Sequence, residues 1–148
     1  MKRVILTGGT GMLGIALTKY LTDKGIQVTI LVNPKSKRKN TIQSNIKTTV
    51  VECDLAELKE AESKLKGIYD AFFHFAWVGT YGVARNDMYL QNKNIKYTLD
   101  AVELAYKVGC KIFVGAGSQA EYGHVEGKMS PGTATYPETG YGIAKLGA

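Results

Sequence analysis

Three side chains near the carboxyl end of the sequence are of types that could exchange a proton with a hydroxyl group. Tyr141 and Lys145 stand four residues apart, and Ser118 precedes them. Residues at i and i+4 share one face of a helix, so a helix would place the lysine ammonium beside the phenol. A nearby cation favours the phenolate form, which can take and return the proton of an alcohol or sugar hydroxyl. Ser118 would hydrogen-bond the same substrate oxygen.

A glycine-rich turn near the amino terminus predicts a phosphate-binding loop. The apolar run 4–6 leads into Gly8, Gly11 and Gly14, and the amphipathic stretch from Ile15 to Lys24 follows. This strand–turn–helix order presents backbone N–H groups to an anion at a helix N-terminus. We expect Gly8 to give a sharp exit from the strand, Gly11 a close approach to a pyrophosphate, and Gly14 close packing of the helix. The turn therefore predicts a dinucleotide site.

The elements that must position these residues follow from the hydrophobic pattern. Strands are predicted at Lys2 to Thr7, Val28 to Val32, Lys47 to Glu52, Tyr69 to Phe75 and Lys111 to Val114. Helices are predicted at Ile15 to Lys24, Glu57 to Lys66 and Asp87 to Val108, with a last one beginning near Tyr141. This alternation predicts an α/β fold, a Rossmann-type doubly wound parallel sheet with strand order 3-2-1-4-5. It is expected to be truncated after strand 5 and the start of the next helix.

Apolar periodicity also predicts which helix faces are buried. In the first helix it assigns Leu13, Leu17, Tyr20 and Leu21 to the inner face. In the long helix it assigns Ile95, Leu99, Val102 and Tyr106 to the inner face.

Composition limits the class of protein. The 148 residues, 45% of them apolar, predict one globular domain over 1–148. Cys53 and Cys110 have neither disulfide-framework nor metal spacing, which favours a reducing compartment, the cytoplasm, and predicts no metal site. The sequence contains no run of 18 apolar residues, so no membrane-spanning segment is predicted.

The chain has a net charge of +6 and contains one local cluster of basic residues. Four of the nineteen basic residues are Lys35, Lys37, Arg38 and Lys39, directly after the second predicted strand. A local cluster indicates a local anion rather than a long polyanion, so nucleic acid is not expected as a partner. A simple solvated loop is the alternative interpretation, and the sequence leaves it open.

The ends of strands 2 and 3 bear on the choice of dinucleotide. An acidic side chain after strand 2 usually binds the ribose 2′-OH of NAD, but this chain has Asn33 and Pro34 there. A 2′-phosphate would be matched by Lys35, Lys37 or Arg38, which favours NADP over NAD. Asn33 could still bond a 2′-OH. After strand 3, Asp54 is placed to meet the adenine amino group and Leu55 the ring, while a helix cap is the alternative role for Asp54.

Taken together, these motifs resemble the extended short-chain dehydrogenase/reductase family, in particular its NAD(P)-dependent epimerase/dehydratase branch acting on nucleotide sugars. The resemblance covers the whole chain. The matching segments are Thr7 to Gly14, Asp54-Leu55, His74-Phe75-Ala76, Asn94-Ile95 with Thr98 and Glu103, Phe113 to Gly123, and the pair Tyr141 and Lys145. Tyr97 and Asp100 depart from the family's helix pattern.

The resemblance implies roles for individual residues. Ser118, Tyr141 and Lys145 fall on the catalytic positions, with Lys145 also holding the nicotinamide ribose. The sequence motifs and the resemblance together imply a set of cofactor-binding residues. They are Gly8, Thr10, Gly11, Met12, Leu13, Gly14, Asn33, Lys35, Arg38, Asp54, Leu55, Phe75, Ala76, Trp77, Asn94, Tyr141 and Lys145.

The resemblance also narrows the reaction. Dehydratases of this branch carry an Asp-Glu pair directly after the catalytic hydroxyl residue, where this chain has Gln119 and Ala120. Glu121 is one position too late. An epimerase or 4-ketoreductase acting on a nucleotide sugar is therefore expected, and the basic loop slightly favours the reductase.

Members of this branch are longer, and their second half supplies the substrate pocket. We therefore expect the chain to be the cofactor-binding half of such an enzyme, inactive alone, with the substrate-binding part outside it. A non-catalytic NAD(P)-binding sensor or regulatory module is the alternative. A homodimer is expected from the resemblance only, because the long helix often forms a dimer face in this family.

Overall fold

The computed structural model describes residues 1–42 and 44–148. Its strands are β1 (Arg3–Thr7), β2 (Gln27–Val32), β3 (Thr48–Glu52), β4 (Ala71–His74) and β5 (Ile112–Gly115). All pairings between them are parallel, and the order across the sheet is β3-β2-β1-β4-β5. This is the Rossmann-like order that the sequence predicts, and each strand lies within a residue or two of its predicted position.

Three α-helices accompany the strands: α1 (Met12–Asp23), α2 (Met88–Lys107) and α3 (Gly140–Gly147). The α-helix predicted at Glu57 to Lys66 is instead a 3₁₀ helix over Leu55–Lys64, with Glu57 outside helical geometry. This helix starts earlier than predicted because Asp54 accepts a hydrogen bond from the Ala56 amide and caps it. Shorter 3₁₀ turns lie at Lys39–Thr41, Gly82–Asn86 and Gln119–Glu121.

The described chain divides into two compact units. The sheet unit consists of Met1–Ala76 and Asp100–Gly115, and the loop unit of Trp77–Leu99 and Ala116–Ala148.

The core of the sheet unit lies on both faces of the sheet. On one face, Ile5 and Phe72 pack with Leu104 of α2, and on the other, Leu6 and Ile30 pack with Leu21 of α1. Adjacent residues of β1 thus point to opposite sides, as pleated strands require. Apolar burial on both faces explains why the strands read as nearly continuous apolar runs.

The predicted inner faces of α1 and α2 are partly wrong. Leu13 and Tyr20 of α1 are 62% and 60% exposed. In α2, the side chains of Leu99, Val102 and Tyr106 are exposed, the last to 83%. The buried residues of α2 are instead Gln91, Asn94, Thr98, Asp100, Ala101, Leu104 and Ala105. Four of these seven side chains are polar, so a search for apolar periodicity selects a different face.

The loop unit has little apolar core of its own. Among its described residues, the buried apolar side chains are those of Ala120 and Ala144. Gly142 lets α3 approach the 3₁₀ turn Gln119–Glu121, because a Cβ at this position would collide with the carbonyl oxygen of Ala120. Backbone proximity and polar contacts, rather than large side chains, hold this unit together.

Two further properties bear on function. Within residues 1–42 and 44–148, none of the helices combines the length and apolar character needed to cross a membrane. Cys53 is buried, Cys110 is half-buried, and both are free thiols.

Candidate functional site

The turn after β1 has the geometry of a phosphate cradle. Gly8 has a φ of +76°, and a Cβ there would lie 2.7 Å from the backbone of Phe75 and Ala76. The Gly11 amide donates to the Gly8 carbonyl at 3.0 Å, which closes the turn. A Cβ at Gly14 would collide with that same carbonyl oxygen. Any larger residue at Gly8 or Gly14 would therefore push the turn apart.

The beginning of α1 fits the phosphates of a dinucleotide. The helix N-cap is Gly11, and no side chain caps the first turn. The first-turn amides are directed along the helix axis and carry its positive partial charge, so they can meet an anion. Thr10 and the exposed Met12 and Leu13 border this turn. The cradle thus consists of backbone, which is why glycine is the informative residue type in the sequence.

The end of β4 closes the other side of this turn. His74 is buried, and its Nδ1 lies 2.9 Å from the Thr7 hydroxyl oxygen, which also accepts from the Ala76 amide at 3.2 Å. The Phe75 amide donates to the Thr7 carbonyl. These bonds fix Phe75 and Ala76 beside Gly8, and they give His74 a structural role in the sheet unit.

Asn33, which directly follows β2, is hydrogen-bonded to Asp54, which lies two residues after β3. The Asn33 Nδ2 donates to the Asp54 Oδ2 at 2.7 Å, and the Asn33 Oδ1 accepts from the Lys35 amide at 2.8 Å. The other Asp54 carboxylate oxygen, Oδ1, caps the helix that starts at Leu55. The cap anticipated for Asp54 is therefore present, and the pairing with Asn33 joins two candidate cofactor residues that are 21 positions apart.

The basic cluster is divided by its contacts. Lys39 forms an ion pair with Glu52 at 2.6 Å, which lowers the pKa of the Glu52 carboxyl through its hydrogen bond and its charge. Lys35, Lys37 and Arg38 are exposed. In the part of the chain that the structure describes, no ion pair involves these three side chains. Their charges are therefore accessible to an anion from solution.

In the loop unit, Ser118 begins the 3₁₀ turn Gln119–Glu121 as its N-cap. The Ser118 Oγ accepts from the Ala120 amide at 3.2 Å, and the Glu121 carboxylate accepts from the Ser118 amide at 2.5 Å. This reciprocal capping box fixes the Ser118 backbone and leaves the hydroxyl hydrogen able to donate. The Glu121 carboxylate is thereby turned back onto the backbone of Ser118.

The helix that carries Tyr141 and Lys145 is anchored at its first turn. Thr139 caps α3 by accepting from the Gly142 amide at 3.0 Å, and the Asn86 side chain accepts from the Gly140 amide at 3.1 Å. The close contact of Gly142 with Ala120 then packs this turn against the turn that Ser118 begins. The structure therefore brings the three predicted catalytic residues together on two packed elements of one unit.

Lys145 lies on the same face of α3 as Tyr141. Its Nζ is 5.9 Å from the centroid of the Tyr141 ring and donates to the Ala116 carbonyl at 2.6 Å. Burial lowers the pKa of Lys145 to about 8, and the Glu121 carboxylate opposes this shift. The lysine is thus still largely a cation at neutral pH and lies one helical turn from the phenol, as the i, i+4 spacing predicts.

Two further side chains contact Tyr141. The Arg85 guanidinium carbon lies 4.3 Å from the centroid of its ring, and the Trp77 ring meets it edge-on at 5.8 Å and 78°. Arg85 also donates to the Thr80 carbonyl and borders a cavity of about 260 Å³ together with Gln119 and Thr139. A guanidinium beside an open cavity and the phenol is available to a negatively charged ligand.

The side-chain amide of Asn94 is buried and hydrogen-bonded to the backbone, whereas an amide that binds a ligand must be accessible to it. It is 1% exposed, its Oδ1 accepts from the Val78 amide at 2.9 Å, and its Nδ2 donates to the Val78 carbonyl at 2.9 Å. Its amide thus holds the chain segment directly after Trp77.

Among the described residues, no cluster of three or more His, Cys, Asp or Glu side chains could hold a metal ion.

Sequence reasoning did not find Arg85, Gln91 or the capping role of Glu121. Arg85 and Gln91 lie in segments whose partners are set by tertiary folding, and no motif marks them. Glu121 carried a detectable signal, because a serine followed three residues later by glutamate is a capping-box pattern.

The parallel sheet, the glycine cradle at the head of α1, and the Tyr–Lys pair define a Rossmann-type dinucleotide-binding fold of the short-chain dehydrogenase/reductase kind. The NAD dependent epimerase/dehydratase family matches residues 4–148, and the chain belongs to this family.

The chain is also similar to individual proteins in sequence and in structure. The chain is 30% identical over 135 residues to UDP-glucose 4-epimerase 3 of Oryza sativa subsp. japonica, covering 83% of this chain and 36% of that protein. It is similar to a solved UDP-glucose 4-epimerase, with a TM-score of 0.79 and 26% identity over 98% of this chain and 44% of that one. The enzyme WbmG of Bordetella bronchiseptica, solved in complex with NAD, shares the fold with a TM-score of 0.81 and 22% identity, covering 98% of this chain and 47% of that one. The chain therefore spans about a third to a half of the length of these relatives.

Proposed function

We propose that the chain is the cofactor-binding domain, over 1–148, of an NAD(P)-dependent nucleotide-sugar epimerase or 4-ketoreductase, with the substrate-binding part in a further segment. The observation that carries this proposal is the arrangement of Tyr141 and Lys145 on one face of α3, packed against the segment of Ser118, in a chain of this family. The names of its relatives support a UDP-sugar as the substrate class.

In this proposal each group of residues has a separate task. The Gly8–Gly14 turn and the start of α1 bind the pyrophosphate, with Thr10, Met12, Leu13, Phe75 and Ala76 around them. The Asn33–Asp54 pair and Leu55 meet the adenosine side. A nicotinamide held there would supply hydride transfer to and from the sugar carbon. Tyr141 takes the hydroxyl proton in one direction and gives it back in the other.

Lys145 and Ser118 support this proton transfer. The Lys145 ammonium stabilises the phenolate by its charge and binds the nicotinamide ribose, and the Ser118 hydroxyl donates to the same sugar oxygen. The capping box on Ser118 supports the assignment, because it orients that hydroxyl without consuming its hydrogen. Elimination of water is not part of the proposal, since Gln119 and Ala120 replace the acidic pair of the dehydratases.

The experiment that tests this function uses the full-length gene product and Tyr141→Phe. Interconversion of UDP-sugars is followed by chromatography, and net reduction of a 4-keto sugar by loss of NAD(P)H absorbance. We expect Tyr141→Phe to reduce turnover by at least about a hundredfold, the usual contribution of a general acid–base group. The control is Tyr136→Phe, which removes the hydroxyl of an exposed tyrosine in the same unit. Unchanged turnover in Tyr141→Phe would refute the assignment.

We also propose that NADP is preferred over NAD. The exposed Lys35, Lys37 and Arg38 support this, as does the absence of a carboxylate at the end of β2. Asn33 is engaged by Asp54 and by the Lys35 amide, which weakens the case that it is reserved for a ribose hydroxyl. A 2′-phosphate would form charge-assisted hydrogen bonds with the basic side chains.

Calorimetric titration with NADPH and NADH measures this preference. We expect tighter binding of NADPH, and loss of that difference in the double variant Lys35→Ala, Arg38→Ala. A matched control is Lys47→Ala, which removes an exposed lysine outside the cluster. Tighter binding of NADH by the unmutated protein would show that the preference is for NAD.

A further inference from the structure

Trp77 is the one tryptophan of the chain, and its indole contacts both members of the proposed acid–base pair. The Lys145 Nζ lies 3.7 Å from the centroid of the Trp77 ring, closer than to the Tyr141 ring at 5.9 Å. The Tyr141 ring lies against the same indole, with 5.8 Å between the ring centroids and 78° between the ring planes. The lysine and the tyrosine therefore share one aromatic neighbour.

The indole is itself held by a buried amide. Its Nε1 donates to the Gln91 Oε1 at 2.9 Å, and Gln91 is fully buried in α2. The Gln91 Nε2 donates in turn to the carbonyls of Gly79 at 2.7 Å and Ala84 at 2.9 Å. Breaking the hydrogen bonds of a buried amide is costly, because its polar atoms would be left without partners. The bond from the Trp77 Nε1 to Gln91 therefore fixes the orientation of the indole ring.

The ammonium of Lys145 has few other partners. It donates to the Ala116 carbonyl at 2.6 Å, and within the described chain no ion pair includes it. A lysine side chain has a flexible four-carbon stem, so a single hydrogen bond to a carbonyl does not fix the position of its ammonium group. A tryptophan face is the most favourable aromatic partner for an ammonium, and the contact strengthens when it is shielded from water.

We propose that Trp77, fixed by Gln91, is a positioning residue that holds the Lys145 ammonium beside Tyr141. What the lysine and tyrosine then do rests on the proposed function, whereas the pairing of Trp77 with Lys145 is a property of the folded chain. The proposal gives Trp77 a role besides the contact with cofactor expected from its position after Ala76.

The surroundings of Lys145 make this pairing measurable. Burial lowers the pKa of its ammonium to about 8, while Glu121, on the turn packed against α3, opposes the shift. Two further charged or titratable groups face the pair: Tyr141 on the same helix, and Arg85, whose guanidinium carbon lies 4.3 Å from the centroid of the Tyr141 ring. Loss of the Lys145 proton would remove a full charge from the face of the only indole.

The test is a pH titration of the 148-residue chain, followed by the single indole N–H signal in a ¹H–¹⁵N correlation spectrum. We expect that signal to shift in one step with a midpoint near pH 8. Lys145→Met, which retains an apolar stem of similar length, should abolish the step. Lys128→Met, at an exposed loop lysine of the same unit, should leave it unchanged.

Two results would overturn the pairing: no step between pH 6.5 and 9.5 in the unmutated chain, or a step that persists in Lys145→Met. If Lys145→Met did not fold, Lys145→Arg would replace it, because a guanidinium stays charged over this range and should also remove the step. None of these readouts depends on turnover, so they stand or fall separately from the proposed function.

A second measurement tests the positioning role in the full-length gene product. Trp77→Phe keeps an aromatic face, and Trp77→Leu removes it. We expect Trp77→Leu to lower kcat roughly three- to tenfold more than Trp77→Phe, with similar KM for the sugar, as the strength of an ammonium–ring contact implies. Equal kcat in the two variants would refute the positioning role. Absence of turnover with every UDP-sugar, together with an intact indole step, would instead refute the proposed function and leave the pairing in place.

Discussion

The sheet unit and the loop unit are built by different forces. In the sheet unit, large apolar side chains such as Phe72, Ile5 and Leu6 are completely buried on both faces of a parallel sheet. In the described part of the loop unit, the buried apolar side chains are two alanines, and the buried polar ones include Gln91 and Asn94. The first unit is stabilised mainly by apolar burial, the second by hydrogen bonds, caps and close glycine contacts.

This difference corresponds to a difference in the candidate chemistry. The cradle in the sheet unit consists of backbone groups at Gly8, Gly11 and Gly14, and a rigid sheet holds them in place. The candidate acid–base groups of the loop unit are side chains whose positions depend on other polar side chains. A backbone cradle tolerates changes in neighbouring side chains, whereas a network of polar side chains depends on each member.

The largest expected effect is on the core of the sheet unit. Phe72→Ala removes a fully buried ring that packs on Phe113 at 5.7 Å between centroids, and it should lower the free energy of unfolding by about 3–5 kcal/mol. Urea unfolding followed by circular dichroism measures this change. The control Val83→Ala, at a side chain 95% exposed in the loop unit, should change it by less than about 0.5 kcal/mol. Similar losses in both variants would show that apolar burial does not distinguish the units.

A smaller loss in the free energy of unfolding is expected when a side chain in the polar core of the loop unit is replaced. Gln91→Leu leaves the Trp77 indole N–H and two backbone carbonyls without their partner, and it should cost about 1–3 kcal/mol. Its neighbour Asn92 is exposed, so Asn92→Leu is the matched control on the same helix. If Gln91→Leu were as stable as the unmutated chain in urea, the polar network would not be what holds this unit.

A third effect is the pH dependence that Lys145 adds to stability. Its pKa in the folded chain is about 8, below the ordinary 10.5, so between these values the unfolded chain binds more protons. The cost of burying the charge is present below about pH 8 and disappears by about pH 10.5. The stability of the unmutated chain relative to Lys145→Met should therefore rise over this range in parallel urea titrations. A difference that stays constant from pH 7 to 10.5 would contradict the burial of the ammonium.

The same contrast explains what could be predicted from the sequence. The strands were found to within a residue or two, because parallel strands buried on both faces are apolar runs bounded by glycine or polar residues. The glycine cradle was recognisable because its function requires the absence of side chains. The buried face of α2 was predicted wrongly, since Gln91, Asn94 and Thr98 satisfy their polar groups inside and leave Leu99, Val102 and Tyr106 outside.

The network around Tyr141 could be predicted only in part. The i, i+4 relation of Tyr141 and Lys145 follows from helical geometry alone. The contacts of Arg85 and Trp77 with Tyr141 join residues more than fifty positions apart, and they arise from the loop that follows β4. No periodicity or short motif encodes such contacts.

We propose that the backbone cradle of the sheet unit binds the cofactor and that side chains of the loop unit perform the proton transfer. The most direct measurement determines cofactor affinity by calorimetry and turnover of UDP-sugars for the same full-length variants. Gly8→Ala should weaken cofactor binding at least about tenfold, or about 1.4 kcal/mol, and reduce turnover with it. The control Gly25→Ala carries a similar positive φ of +81° but has no atom within 4 Å of the added Cβ, so it should bind normally.

Tyr141→Phe completes the comparison. This variant should bind cofactor within about fivefold of the unmutated protein, since one hydrogen bond contributes about 1 kcal/mol, while its turnover is lost. Turnover retained in Tyr141→Phe, or cofactor binding unaffected in Gly8→Ala, would contradict this division of roles between the two units.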